Sequence, residues 1–329
     1  MNHASGELCR LFGIERPIFQ AGMGWVTSGR IAAAVSGAGG LGCIATGGIM
    51  GSDELRDHIT HVRDAAPGRP FAVNLLLPSG ADESDTMGGL DFTRLQLDAC
   101  FEQRVPIIIS GLGNPADVVG EIHAHGAKLV CVVGTVRAAL KVAGLGADAV
   151  VLSGAEAGGH CGPTGTLSLA QDGIGRIGVP VLVAGGIATP QAVAAALALG
   201  AAGVSVGTRF LASEESDAHP VYKQAVVDAG ERATAVTRAC TGKPSRAWRS
   251  PFVAEWEARE AEIQPYPEQA IDHFWRAYAG AIEGDVEQGF FPMGQCAAAI
   301  DAILPAAAIV DLLAAPAEAA AEAAAEAAA

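Results

Sequence analysis

The hydrophobic positions of the chain form short, continuous apolar runs that alternate with longer segments of helical periodicity. Runs such as Val-Pro-Ile-Ile-Ile-Ser, at 105–110, are β-branched and bounded by turn residues. Strands of a parallel sheet that are covered on both faces have this continuous pattern. Eight such runs predict strands at Pro17–Gln20, Gly42–Ala45, Pro70–Leu76, Pro106–Ser110, Lys128–Val133, Ala149–Leu152, Pro180–Ala184 and Gly203–Val206.

The segments between these runs predict helices, and several carry a start signal. Pro115 and Pro190 stand in the first turn, directly after the capping residues Asn114 and Thr189. The six predicted helices are Ser28–Ala38, Asp53–Ala65, Asp91–Gln103, Pro115–His125, Val136–Leu145 and Thr189–Leu199. The order of elements is therefore βαβα.

Eight strands in this order favour a (β/α)8 TIM barrel over a doubly wound sheet. A doubly wound dinucleotide-binding sheet usually has a Gly-x-Gly-x-x-Gly turn after its first strand. The first strand here ends in Gln20-Ala-Gly-Met-Gly24, which lacks that fingerprint. No linker divides the chain, so we expect one domain over residues 11–313.

The pattern changes after the last strand. From about 212 to 292, a segment that we call the cover region, the chain is predicted to be helical and irregular, and it is rich in aromatic residues. Aromatic clusters usually belong to a core, so a helical cover packed on the barrel is favoured over a dedicated aromatic cage. The Ala/Glu-rich tail, residues 314–329, is expected to form a solvated helix outside the core.

Charge and composition exclude several classes of partner. The chain has 329 residues, with 21 basic against 36 acidic side chains and a net charge of −15, which argues against nucleic acid and against an acidic membrane surface. The uncharged stretch from Ile177 to Thr208 is broken by Pro and Gly, so it is not expected to span a membrane. The N-terminus lacks the pattern of a secretory signal, and a cytoplasmic location is expected. A homodimer is left open.

The seven cysteines show no spacing typical of a metal site, so no metal is expected, and they are interpreted as reduced thiols. Cys161 is the exception because it follows His160 in a glycine-rich loop. A nucleophilic role for it would require an exposed, electropositive setting.

Two neighbouring strand ends predict a phosphate site. Gly185 and Gly186 follow the seventh predicted strand, and Gly207 and Thr208 follow the eighth. The loops after these strands are where barrels of this kind bind phosphate, through exposed backbone N–H groups and a helix N-terminus. A pair of glycines alone would indicate only a turn.

The loop after the sixth strand, Ser153-Gly-Ala-Glu-Ala-Gly-Gly-His-Cys-Gly162, is the densest in glycine. Gly158 and Gly159 let the backbone approach a planar ligand, and His160 can exchange a proton near neutral pH. The alternative is a histidine that only stabilises its loop. The position at the mouth of the barrel favours a catalytic His160, while Glu156 is expected either to orient the loop or the histidine or to react.

These residues together resemble the nitronate monooxygenase family, formerly called 2-nitropropane dioxygenases. The resemblance runs from about Leu11 to Leu313, and flavin-type enoyl-acyl-carrier-protein reductases share the same motifs. The motifs are Gln20-Ala-Gly-Met-Gly, Ala38-Gly-Gly-Leu-Gly42, Asn74, Gly154-x-Glu-Ala-Gly-Gly-His160, Ala184-Gly-Gly-Ile187, Gly207-Thr-Arg-Phe210 and Met293-Gly-Gln295.

The resemblance implies an FMN-dependent oxidoreductase and assigns the cofactor's contacts. It implies that Ala21, Gly22 and Met23 line the isoalloxazine and that Asn74 bonds it. It also implies that Gly185, Gly186, Gly207 and Thr208 hold the phosphate and that Gly294 and Gln295 close over the ring. We further expect Gly158 and Gly159 to contact the cofactor.

The resemblance leaves the reaction open. A nitronate monooxygenase oxidises an alkyl nitronate with oxygen to a carbonyl compound and nitrite. In that reaction His160 would act either as the base that deprotonates a neutral nitroalkane or as the cation that holds the anionic nitronate. An enoyl reductase uses NAD(P)H and an acyl thioester, and His160 would help protonation. The nitronate reaction is the favoured hypothesis, and a flavin-binding sensor without catalysis is the remaining alternative.

Two features depart from a simple match. Trp25 follows the Gly-Met-Gly turn directly, and a basic segment contains Lys243, Arg246, Arg249 and Arg259 in an otherwise acidic chain. Such a segment is usually a solvated surface, but it is also what the phosphates of CoA or of a carrier group would bind. An acyl-thioester substrate therefore stays open.

Overall fold

The computed structural model describes residues 2–47, 49–77 and 89–328. Its central sheet consists of eight parallel strands, in the spatial order β1-β9-β8-β6-β5-β4-β3-β2. These strands are β1 Ile18–Gln20, β2 Gly42–Ala45, β3 Phe71–Leu76, β4 Ile107–Leu112, β5 Lys128–Val133, β6 Ala149–Ser153, β8 Val181–Ala184 and β9 Gly203–Val206. A parallel bridge between Phe19 and Leu41 joins the two ends of this order. The predicted (β/α)8 barrel, with all eight of its strands, is confirmed.

The helices around the barrel follow the predicted order. They are α2 Gly29–Gly37, α3 Ser52–Ala65, α4 Gly89–Glu102, α5 Val119–Ala124, α6 Val136–Gly144, α7 Thr166–Gly173 and α8 Pro190–Ala198. The predicted helix Pro115–His125 is split into a 3-10 turn, Pro115–Asp117, and α5. Thr189 caps α8 through its hydroxyl, as the sequence predicts. Helix α7 was not predicted.

The bottom of the barrel is closed by an N-terminal helix, α1 His3–Phe12. Its Leu8 and Phe12 are buried among the side chains that fill the barrel interior, and the Phe12 ring meets Phe19 edge to face at 5.4 Å. The Asn2 side chain accepts a hydrogen bond from the Ser5 N–H and starts this helix. With one end closed, the site must lie at the opposite end, where the strands terminate.

The cover region contains helices and also a small sheet. Its helices are α9 Thr208–Leu211, which begins just before it, α10 Pro220–Val227, α11 Pro251–Ala258, α12 Glu268–His273 and α13 Trp275–Tyr278. The prediction of a helical and irregular cover misses β10 Thr234–Thr237 and β11 Ser245–Trp248, which pair antiparallel. Strand β11 also pairs with β7, Gly159–His160, which belongs to the loop after β6. The cover region is thus joined to the barrel at the predicted catalytic histidine.

The C-terminal helix, α14 Ala306–Ala328, corrects one expectation. The segment after Ala314 is helical as predicted, but Ala314 and Ala317 are buried, and Arg16 forms an ion pair with Glu318 at 2.9 Å. The expectation that this segment stays outside the core is therefore wrong for these positions. Small alanine side chains allow the helix to approach α8 and α2 closely, which is why a sequence without large apolar residues is still buried.

The described residues include neither a candidate membrane-spanning helix nor a candidate metal cluster. None of their helices is both long enough and apolar enough to cross a bilayer. The uncharged stretch that begins at Ile177 folds instead as β8, α8 and β9. No group of three or more His, Cys, Asp or Glu side chains in the described part of the chain is arranged to hold a metal ion.

Candidate active site

The first wall of the site is formed where β1, β3 and β4 end. A Cβ atom placed on Gly22 would lie 2.7 Å from Oδ1 of Asn74, and one on Gly111 would lie 2.9 Å from its Nδ2. The Asn74 amide therefore lies between two glycines that give it room. Its Nδ2 donates to the Ile109 carbonyl at 3.1 Å, which fixes the amide orientation and turns Oδ1 toward Gly22.

The second wall is formed by backbone donors after β8 and β9. Gly185 and Gly186 have φ angles of 97° and 74°, in the left-handed region that favours glycine. The N–H groups of Gly185, Gly186, Gly207 and Thr208, which we call the N–H cluster, donate to no other described residue. Unsatisfied backbone N–H groups at adjacent strand ends make an anion site. The structure thus brings these four predicted phosphate residues together.

The segment after Phe291 closes over this second wall. Gly294 donates its N–H to Thr208 Oγ1 at 3.0 Å, and Gln295 donates its N–H to the Glu156 carbonyl at 2.9 Å. A Cβ atom on Gly158 would lie 2.8 Å from the Gly294 nitrogen, so the two backbones are in direct contact. Predicted residues from three distant parts of the chain therefore meet here.

The first and second walls meet at Met23. A Cβ atom on Gly207 would lie 3.4 Å from Met23 Sδ and 3.8 Å from the Ala21 side chain. The β1 turn therefore lies against the start of α9, next to the N–H cluster. A planar group bound between the walls would extend from these donors toward Asn74.

Glu156 has a structural partner that the sequence did not reveal. Its Oε2 accepts hydrogen bonds from both the N–H and the hydroxyl of Thr166, each at 2.7 Å. Thr166 is the first residue of α7, so the carboxylate lies at the positive end of that helix. Of the roles considered for Glu156, orienting the loop is the one these contacts support.

His160 is held by the cover region. In β7 it stands opposite Ser245 of β11, and the next residue, Cys161, donates its N–H to the Pro244 carbonyl at 3.2 Å. The imidazole Nε2 lies 2.9 Å from Thr241 Oγ1. This contact could not be predicted from the sequence, because the two residues are 81 positions apart and no local signal links them.

The electrostatic setting of His160 keeps its imidazole neutral. The residue is accessible at the open mouth of the barrel, yet the protein around the loop desolvates the ring, and the nearby Lys243 ammonium adds positive charge. Both effects disfavour the imidazolium and lower the pKa of His160 to about 4. A ring that is unprotonated at neutral pH can accept a proton.

Cys161 does not have the setting of a nucleophile. Burial is the largest influence and raises the pKa of its thiol, although the Arg246 guanidinium and backbone act in the opposite direction. A reactive cysteine needs a lowered pKa, because the thiolate is the nucleophile. The nucleophilic alternative for Cys161 finds no support.

The basic segment is spread over separate partners. Buried Arg246 donates from Nε to the Ala155 carbonyl at 2.8 Å, which ties β11 to the loop after β6. The Lys243 ammonium lies 3.6 Å from the centre of the Tyr266 ring. Arg249 pairs with Glu257, and Arg259 pairs with Glu255 and Glu262. The segment is therefore not one basic patch.

Trp25 connects the first strand end to the cover region. Its ring lies 5.2 Å from Phe274 and 5.8 Å from Tyr278, measured between ring centres. The cluster covers the side of the mouth next to the loop after β2, since a Cβ atom on Gly47 would lie 3.5 Å from the indole nitrogen. The aromatic residues of the cover thus pack together and also roof this part of the site.

The fold and site define a (β/α)8-barrel enzyme with a cluster of backbone N–H donors at two adjacent strand ends and a histidine at the mouth. The profile of the family described as Nitronate monooxygenase matches residues 5–315. The chain therefore belongs to the nitronate monooxygenase family, and it is an oxidoreductase.

Three relatives illustrate the range of this similarity. FabK from Thermotoga maritima is 38% identical, with a TM-score of 0.85 over 96% of this chain and 97% of that one. Nitroalkane oxidase from Streptomyces ansochromogenes is 32% identical, with a TM-score of 0.81 over 94% and 97%. A hydroxy-methyl-oxo-octahydroindene-carboxyl-CoA dehydrogenase of Mycobacterium tuberculosis is 36% identical over 76% of this chain and 68% of its own length.

Proposed function

We propose that this protein binds FMN and oxidises alkyl nitronates with oxygen to carbonyl compounds and nitrite. Membership of the family supports this proposal, because flavin dependence is typical of the family. Its relatives include a probable nitronate monooxygenase of Staphylococcus saprophyticus, which is 33% identical to this chain. The observation that carries the substrate choice is the imidazole of His160 at the mouth of the barrel, with its Nε2 held 2.9 Å from Thr241 Oγ1.

The residues present fit FMN. The N–H cluster would hold its phosphate, because four free donors at a strand–helix junction suit a dianion. Gly294 and Gln295 would close over the bound ring together with Gly158 and Gly159. Ala21, Gly22 and Met23 would line the ring face, and Asn74 would accept or donate at its edge through the amide. Residues 11–313 would form this binding unit.

FMN, when bound, would supply the redox chemistry of the reaction. The chain's own contribution is proton control and positioning. A neutral His160 can take the proton from the α-carbon of a nitroalkane and so produce the nitronate inside the site. The lowered pKa favours this role over that of a cation that holds a preformed nitronate, which would require the imidazolium.

An acyl thioester is the second candidate, and the similarity to FabK and to an acyl-CoA dehydrogenase favours it. The pairing of Arg249 and Arg259 with carboxylates speaks against a ready site for the phosphates of CoA or of a carrier group. Reduction by NAD(P)H belongs to this second candidate only.

Anaerobic reduction of the FMN-loaded protein separates the two. We expect an alkyl nitronate to bleach the flavin absorbance rapidly, with no response to NADH or NADPH. Bleaching by a reduced nicotinamide, followed by reoxidation with an enoyl thioester, would establish the second candidate instead. A protein that cannot be loaded with FMN would refute both, and one that holds FMN but responds to neither substrate would be a sensor.

A further inference from the structure

The hydrogen bond between His160 and Thr241 joins the loop after β6 to the turn between β10 and β11. Its position is set by sheet pairing, because β7 aligns Gly159 with Arg246 and His160 with Ser245. Within this turn, Thr241 is only 5% exposed. The Thr241 hydroxyl is therefore shielded from solvent and forms its side-chain contact with the His160 Nε2 atom at 2.9 Å.

The hydroxyl has a second contact that restricts its role. Thr241 Oγ1 also accepts the Lys243 N–H at 3.4 Å, as part of the turn. A hydroxyl has two acceptor lone pairs and one O–H donor. With one lone pair used by Lys243, Thr241 can still accept an N–H from His160 or donate its O–H to an unprotonated Nε2. The two arrangements correspond to the two neutral tautomers of the imidazole.

The proposed reaction distinguishes these tautomers. A base that takes a proton from a carbon must present an unprotonated ring nitrogen to the substrate. Of the two ring nitrogens of His160, Nε2 is the one with a hydrogen-bond partner among the described residues, and that partner is Thr241. Nδ1 is then the nitrogen left for the substrate, and it is unprotonated only if Nε2 carries the hydrogen.

We propose that Thr241 is a positioning residue that accepts the Nε2–H of His160 and thereby keeps Nδ1 as the proton acceptor facing the substrate. The choice of tautomer rests on the proposed function, but the tautomer can be measured independently of any substrate. In the step itself, the α-carbon–hydrogen bond of the nitroalkane breaks and the proton moves to Nδ1. The electron pair of that bond forms the carbon–nitrogen double bond of the nitronate, and the π pair of the nitro N=O bond moves onto oxygen, which becomes anionic. The hydrogen bond from Nε2–H to Thr241 Oγ1 is kept throughout.

The test uses the FMN-loaded protein and two variants of nearly equal size. Thr241→Val keeps the branched shape but removes the acceptor, and Thr241→Ser restores the hydroxyl. Nitrogen-15 NMR at pH 7, with His160→Asn to assign the signals, reports the tautomer directly. We expect protonated Nε2 in the natural protein and in Thr241→Ser, and a mixture or the other tautomer in Thr241→Val.

Kinetics supply the second readout. For a neutral nitroalkane, kcat should fall roughly 10- to 100-fold in Thr241→Val, as for other residues that orient a functional histidine, and recover in Thr241→Ser. Activity on a preformed nitronate and the Kd for FMN should change little, since neither needs the base. A merely structural threonine would lower both activities and FMN binding together.

The outcomes separate this inference from the proposed function. A natural protein whose His160 carries its proton on Nδ1, or a tautomer that Thr241→Val leaves unchanged, would overturn the role of Thr241 whatever the substrate is. The expected tautomer in a protein whose flavin no nitronate reduces would leave the positioning in place and refute the proposed function. Because the natural protein alone reports the tautomer, poor folding of a variant does not prevent the test.

Discussion

The two ends of the site are built in opposite ways. At the N–H cluster the donors are backbone groups without acceptors in the described chain, held open by glycines. The other end is the loop after β6, which starts beside the N–H cluster and runs to His160, and its polar side chains already have partners, namely Thr166 for Glu156 and Thr241 for the imidazole. The first end is completed by a ligand, and the second is organised before any ligand arrives. Cofactor affinity and proton transfer should therefore respond to different substitutions.

The largest effect on cofactor binding is expected at the N–H cluster. Gly186→Val forces a β-branched residue into a φ of 74° and places side-chain atoms beside the donors. We expect the Kd for FMN to rise at least about 100-fold, because phosphate binding depends on these donors. Fluorescence titration of the FMN-free protein measures it. Gly175→Val, with a φ of 87° and open space around it, is the matched control for backbone strain. Equal losses of FMN affinity in the two variants would contradict the assignment of the phosphate site to the N–H cluster.

Glu156 tests the organised end. Glu156→Gln keeps the shape but removes the charge that accepts two hydrogen bonds from Thr166, so the free energy of unfolding should fall by about 1 kcal/mol, discounted for partial exposure. Turnover should fall several-fold, while the Kd for FMN stays within about threefold. Urea unfolding and FMN titration check this, with exposed Glu268→Gln as the control. A loss of FMN binding as large as that of Gly186→Val would erase the distinction between the two ends.

The pH dependence sharpens the comparison further. Burial and Lys243 lower the pKa of His160 to about 4, so the imidazole stays neutral as the pH falls from 7 and becomes protonated only near that value. Activity on a neutral nitroalkane should follow this titration, so the acidic limb of its pH–activity profile should lie near pH 4. Lys243→Met removes a positive charge and should move the limb upward, without reaching 6.5 because burial is the larger cause. A limb that moves downward would contradict this electrostatic account.

The smallest effect is expected in the basic segment. Arg249→Gln and Arg259→Gln remove side chains that are paired with carboxylates at the surface, and such pairs contribute little. We expect KM and kcat to stay within about twofold for every substrate. A selective rise in KM for an acyl thioester in these variants would show that the segment binds phosphates and would favour the second candidate function.

The parts of the molecule that the sequence predicted are those whose signals are local. The eight barrel strands were found because each buried strand is itself a continuous apolar run, and α8 because Thr189 and Pro190 mark its start. The glycines of the N–H cluster could be placed because barrels bind phosphate after these two strands. The barrel is therefore confirmed from local signals, whereas phosphate binding at the N–H cluster stays a prediction.

The cover region could not be predicted in the same way. Strands β10 and β11 are each four residues long, and β7 is a two-residue Gly-His segment whose partner lies more than 80 positions away. Their pairing depends on tertiary contacts, as do the bonds of His160 to Thr241 and of Arg246 to Ala155. The burial of Ala314 and Ala317 was missed because small side chains give no apolar pattern.

The most direct test of the central claim compares two substrates in one variant. The FMN-loaded His160→Asn protein and the natural protein are assayed for oxygen consumption with a neutral nitroalkane and with its preformed nitronate. If His160 is the base, the variant retains FMN, and its rate with the nitroalkane falls roughly 100- to 10,000-fold below that of the natural protein. Its rate with the nitronate stays within about tenfold of the natural rate. Equal losses on both substrates, or no loss on either, would contradict the account.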